Sequence, residues 1–79
     1  MIIKLSKQAE KYLTKVPADI REKLLKGLED IKELKGNIQP LVIGGYRYKI
    51  HHYRIIFNID HQNDAACIIE INTRSNIKY

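Results

Sequence analysis

Four cations in the second half of the chain are spaced for work on an anion. Arg47 and Lys49 alternate with tyrosines in "YRYKI", Arg54 opens "YRIIF", and Arg74 closes "IIEINTR". Side chains along a strand alternate between faces. Arg47 and Lys49 therefore share one side, away from Tyr46, Tyr48 and Ile50. On the next run, Arg54, Ile56, Asn58 and Asp60 oppose Tyr53, Ile55, Phe57 and Ile59. On the last, Ile68, Glu70, Asn72 and Arg74 oppose Cys67, Ile69 and Ile71. One face is then apolar, and the other gathers the four cations with Glu70 as the nearby carboxylate. Crowded like charges repel, and a polyanion relieves that repulsion. Arginine adds a planar fork that gives phosphate two parallel hydrogen bonds. A solvated outer face that protects edge strands from aggregation uses the same residue types. The pattern alone leaves both readings open. Arg54 leans toward the anion, because it stands between apolar runs where Thr or Gln would serve as a plain surface residue.

His51 and His52 separate the first two runs. Histidine can exchange protons at neutral pH, but turn tips project away from a sheet face. The pair is read as exposed turn residues, His61 is assigned nothing, and no third ligand stands near enough to make a metal site.

The elements that must position these cations follow from periodicity. "MIIKL" reads as a first strand, and Ser6 as the N-cap of a helix. Leu5, Ala9, Tyr12, Leu13 and Val16 fall on one helical face. Pro17 breaks that helix and starts the next. Ile20, Leu24, Leu28, Ile31 and Leu34 or Lys35 make the stripe of the second helix, with Gly27 inside it and Gly36 at the left-handed cap. "GNIQPLVIGG" at 36–45 reads as a connector, since Pro40 argues against a central strand. Three runs rich in β-formers follow, joined by links short enough for hairpins. The expectation is an α+β fold of order β-α-α-β-β-β, a small antiparallel sheet with two N-terminal helices packed on one face.

Composition bounds the function. The chain has 79 residues with 14 Lys and Arg against 9 Asp and Glu, a formal net charge of +5. That length predicts one domain over 1–79, burying only about 60% of its unfolded surface, so any active site must be shallow. The charge favours an anionic partner, although solubility alone accounts for it too. The single cysteine, Cys67, excludes an internal disulfide framework and reads as a small core residue. Lys4 and Lys7 interrupt the N-terminal apolar run, so no signal peptide is expected. No run approaches the ~20 residues that span a bilayer. A cytoplasmic protein without a membrane partner is expected.

The pieces "GYRYKIHHYRIIFNID" and "IIEINTRSNIKY", with "A..YL.K.P..IREKL...L" before them, resemble the RelE/ParE superfamily of toxins from type II toxin–antitoxin pairs. The resemblance covers nearly the whole chain. It implies a RelE-like fold and a metal-independent endoribonuclease without cofactors that cuts mRNA in the ribosomal A site. There the ribose 2′-hydroxyl attacks the adjacent phosphate and leaves a cyclic phosphate. That chemistry needs an acceptor for the 2′ proton, a donor to the leaving 5′ oxygen, and cations for the crowded phosphate.

Carried over position by position, the resemblance makes Arg54 the phosphate-stabilising arginine after the tyrosine of "YR", and Arg74 the arginine that ends the last strand. Arg47 and Lys49 match the basic pair before the turn. Lys49 is the better candidate for general base, because arginine hardly deprotonates and crowding by cations lowers a lysine pKa. The family tyrosine falls one place later than usual: Lys78 holds that position and Tyr79 follows. Thr73 stands where His or Lys is common. The implied catalytic set is Arg54, Arg74, Lys49 and Tyr79, with Arg47, Lys49 and Lys78 on the RNA. The implied partners are a cognate antitoxin, mRNA and the ribosome, with DNA reached only through the antitoxin. The superfamily also implies two alternatives: a non-nucleolytic inhibitor of DNA gyrase, as in the ParE branch, and an inactive toxin kept as a corepressor.

Overall fold

Ser6 acts as its side chain dictates. It ends the strand Ile2–Leu5 (β1) and caps the helix Lys7–Lys15 (α1). In the computed structural model, which describes residues 1–79, its hydroxyl accepts a hydrogen bond from Ala9 N–H at 3.1 Å. One of the helix's orphan donors is thereby satisfied. Val16 and Pro17 are extended, and the helix Ala18–Lys32 (α2) follows at once. Arg21 reaches back from α2 and donates to the carbonyls of Leu13, Thr14 and Val16 at 2.6, 3.3 and 3.0 Å. A cation thus closes the negative end of α1.

The end of α2 differs from the expectation. Leu34, not Gly36, takes the left-handed cap, with φ 54°. Leu34 N–H donates to Ile31 C=O and Lys35 N–H to Asp30 C=O, each at 3.0 Å. These are the paired bonds of a Schellman stop. Leu34 therefore leaves the apolar stripe and is exposed, while Leu24, Leu28 and Ile31 stay buried.

The connector contains a strand the sequence did not suggest. Asn37–Pro40 (β2) pairs antiparallel with Tyr46–Ile50 (β3), then Tyr53–Asp60 (β4) and Ala65–Thr73 (β5) follow. The sheet order is β1-β5-β4-β3-β2. Pro40 is tolerated because β2 is an edge. The β3-β4-β5 meander is antiparallel as expected, but β1 adds to β5 in parallel, so the five-stranded sheet is mixed. Both helices cover one face. Leu24, Leu28, Ile31, Ile55, Phe57, Ile68 and Ile71 form the core with Ala9, Leu13, Tyr48 and Ala66. No helix is long and apolar enough to cross a membrane.

Tyr48 ties α2 to the sheet. Its hydroxyl donates to Asp30 Oδ2 at 2.6 Å. Its ring edges lie against two glycines: a Cβ on Gly27 would stand 2.9 Å from Cε2, and one on Gly36 (φ 92°) 2.7 Å from Cε1. Burial, with the bond to Asp30 and its charge, pushes the phenol pKa up to about 12. A raised acid holds its proton longer folded than unfolded, so this contribution is complete below about pH 10 and is lost as pH rises toward 12. Tyr48→Phe is expected to lower stability at pH 7 by about 1–2 kcal/mol. The same substitution should cost less at pH 11. Urea midpoints of both proteins at the two pH values check this; an equal gap at both removes the assigned linkage.

β5 carries a bulge that reverses its faces. Phe57 pairs with Ile68 but Ile56 with Glu70, so Ile69 is an extra residue without a cross-strand partner. Upstream of it, Ala66 and Ile68 enter the core; downstream, Ile71 does. The face assignment for β5 is thus right after Ile69 and wrong before it. Ile68 is buried, Ile69 is 44% exposed, and Cys67 is partly exposed rather than a core residue.

Candidate anion-binding face

The strand registers set the cations in rows. Asn37, Lys49, Arg54 and Asn72 stand opposite one another across β2, β3, β4 and β5. The next row is Gln39, Arg47, Ile56 and Glu70. Neighbouring strands lie about 4.8 Å apart, so Lys49 and Arg54 are immediate neighbours. Arg74 follows β5, and its N–H donates to His52 C=O at 2.8 Å. That bond holds the β5 end against the β3–β4 turn. Lys49, Arg54 and Arg74 therefore collect at one end of the face opposite the helices, with Arg47 one row away.

Arg54 departs from the expectation of a freely solvated cation. It is only 7% exposed, and its Nη1 donates to the carbonyls of His51 and Tyr53 at 3.2 and 2.9 Å. Ile56, on the same face, is equally buried and lies outside the helix-side core, as does buried Ile77. The chain turns after Thr73, where the N–H groups of Asn76 and Ile77 both donate to its carbonyl. The helices cannot cover Ile56 from the other side of the sheet. Alternation along a strand tells which side a residue takes and says nothing of depth.

The remaining residues fall as follows. Lys49, Arg74, Lys78 and Tyr79 are exposed. Arg47 is half-buried; its Nη2 reaches Asn37 Oδ1 at 3.5 Å, and its buried Nε has no partner. His51 and His52 are exposed turn residues, and His51 takes φ 51°. Asn72 Nδ2 reaches Glu70 Oε2 at 3.5 Å. The ion pairs of the molecule are Met1 amino group–Asp64, Lys32–Glu29 and Lys35–Glu33. None of the cations on this face takes part in one. Nor do three His, Cys, Asp or Glu side chains come together as a metal cluster.

The face is open and shallow. The one groove, of about 670 Å³, lies between β1 and α2 against Ile3, Leu25 and Leu28. One contributor had no signal of its own in the sequence: Asn37 joins the row only because β2 forms. Chemically, the face offers an anion two exposed cations without ion-pair partners, Lys49 and Arg74, beside the buried Arg54.

A family model for the ParE toxin of type II toxin–antitoxin systems (parDE) matches residues 3–77. No curated protein sequence matches the chain. Among the solved structures similar to it are three toxins. One is from the Mycobacterium tuberculosis toxin–antitoxin complex RelBE2, with TM-score 0.74 and 20% identity over 92% of this chain and 96% of that one. Another is from the archaeal RelE–RelB complex of Pyrococcus horikoshii OT3, with TM-score 0.72 and 20% identity over 96% and 97%. The third is the isolated E. coli RelE toxin, with TM-score 0.73 and 18% identity over 91% and 82%. At these identities the likeness is one of fold.

Proposed function

The chain belongs to the RelE/ParE superfamily of toxins from type II toxin–antitoxin systems, and on that premise we propose that it is a metal-independent endoribonuclease acting on mRNA at the ribosome. The observation that carries this reading is the set of cations without ion-pair partners at one end of the face. Lys49, Arg54 and Arg74 surround the scissile phosphate and offset the charge that grows as the 2′-oxygen attacks. Lys49, exposed and next to Arg54, takes the 2′ proton. Tyr79 protonates or stacks at the leaving side, and Arg47 and Lys78 hold the flanking strand. The products are a cyclic phosphate and a free 5′-hydroxyl. A cognate antitoxin is the partner, in keeping with the relatives solved as toxin–antitoxin complexes.

A second reading, a non-nucleolytic gyrase inhibitor, draws on two facts. The matching family model is that of ParE toxins, and the Arg54 guanidinium is committed to two carbonyls. Mapping RNA 5′ ends after induction, beside a supercoiling assay, separates the two. We expect new mRNA ends with the wild type and none with Lys49→Ala/Arg74→Ala, both positions being exposed and outside the core. Growth arrest without new ends, but with loss of supercoiling, would replace the first reading by the second. No arrest at all would point to a corepressor.

A further inference from the structure

We infer that Gln8, on α1, is a positioning residue for the cationic face; this rests on the phosphate-site reading above. Its side-chain amide takes the place of a peptide group. Gln8 Nε2 donates to Ile71 C=O at 2.7 Å, and Ile71 N–H donates to Gln8 Oε1 at 2.9 Å. The pair bridges positions 63 residues apart in sequence. It continues the work of β1, whose pairing with β5 ends at Leu5 opposite Ile68. Ser6 fills the gap: its N–H donates to Ile68 C=O at 2.9 Å and its hydroxyl to Ile69 C=O at 2.7 Å. The backbone from Ile68 to Ile71 is thus held, apart from Glu70, by the start of α1.

Those residues are the bulge. A strand that loses or gains one residue of register turns every later side chain to the other face. Were β5 regular from Ile68 onward, Glu70 and Asn72 would point under the helices with Ile68, and Ile71 outward. The extra residue Ile69 is what sets Asn72 beside Arg54 and lets Arg74 follow at the β3–β4 turn. Gln8 touches no cation and itself sits on the helical side, at the rim. It acts through Ile71, by fixing where the bulge ends.

Gln8→Leu removes both bonds and leaves an apolar side chain one atom shorter, and Gln8→Glu keeps the length and the acceptor for Ile71 N–H. The experiment uses the full chain of each variant with a folded-state check by near-UV circular dichroism. Hydrogen exchange at the Ile71 amide and cross-strand NOEs report the register. Single-turnover cutting of ribosome-bound mRNA reports the site. For Gln8→Leu we expect protection at Ile71 to fall about tenfold. The Arg54–Asn72 contacts should weaken and cutting should drop by about 100-fold, the scale of a small misplacement of catalytic groups. Gln8→Glu should recover part of both. Unchanged protection and NOEs in Gln8→Leu overturn the inference, as does full cutting by a variant whose bulge contacts are lost. If the wild type itself cuts no mRNA, the ribonuclease reading falls, and the register measurements still decide the role of Gln8.

Discussion

Arg54→Ala is expected to abolish RNA cutting and to lower stability by about 1.5–3 kcal/mol at the same time. The two effects have separate causes. The guanidinium donates to the carbonyls of His51 and Tyr53, and hydrogen bonds from a charged donor are worth about that much. The aliphatic stem is enclosed on a face that also buries Ile56, so truncation leaves a gap as well. A toxicity assay on Arg54→Ala alone therefore cannot separate a lost phosphate ligand from a loosened fold. Arg54→Lys keeps the charge and most of the stem but loses the planar fork. It should recover more than half of the lost stability while leaving cutting reduced by about 10²–10³-fold, the range for loss of one charge-stabilising group. Urea midpoints and single-turnover rates of both variants test this. A lysine variant with wild-type rates would remove Arg54 from the phosphate site. An alanine variant with wild-type stability would remove its structural role.

The second large effect is one of packing, and its sign is opposite to propensity. In an exposed helix, Gly→Ala gains about 1 kcal/mol. At position 27 of α2 we expect a loss of about 1–3 kcal/mol instead. The new methyl would stand 2.9 Å from Cε2 of Tyr48. The ring cannot retreat, because its other edge already meets Gly36 and its hydroxyl is fixed by Asp30. Combining Gly27→Ala with Tyr48→Leu should cost less than the sum of the two single changes by about 0.5 kcal/mol or more, as for other contacting pairs. Denaturation of the four proteins in the cycle measures it. A Gly27→Ala midpoint at or above the wild type would show that the ring has room to move.

What the sequence discloses, and what it hides, follows the range of the forces involved. Ser6 caps α1 and the pattern from Ala9 to Val16 packs as periodicity dictates, because both are decided within a turn or two of chain. The faces of β3 and β4 are legible for the same reason: Tyr48, Ile55 and Phe57 go inward, Arg47, Lys49 and Arg54 outward. β2 was hidden by Pro40, which excludes a central strand but not an edge. The stop of α2 moved from Gly36 to Leu34, where the N–H groups of Leu34 and Lys35 bond back to Ile31 and Asp30 and close the helix. The inward position of Ile68 and the outward one of Ile69 were illegible because Ser6 and Gln8, far away in sequence, hold that bulge. The cationic rows were readable as a set of side chains on one side. Their depth was not, because alternation fixes the side a residue takes and not its burial.

The parallel pairing of the first strand with the last has a temporal consequence. Ile2 lies opposite Ala65 and Leu5 opposite Ile68, so β1 has no partner until β5 has emerged from the ribosome. Helices form locally within microseconds, but a strand that must close so long a loop waits for its mate. While β5 is still in the exit tunnel, neither the Gln8 contact with Ile71 nor the Arg74 contact with His52 can exist. The cations at that end of the face therefore converge only after β5 has left the tunnel.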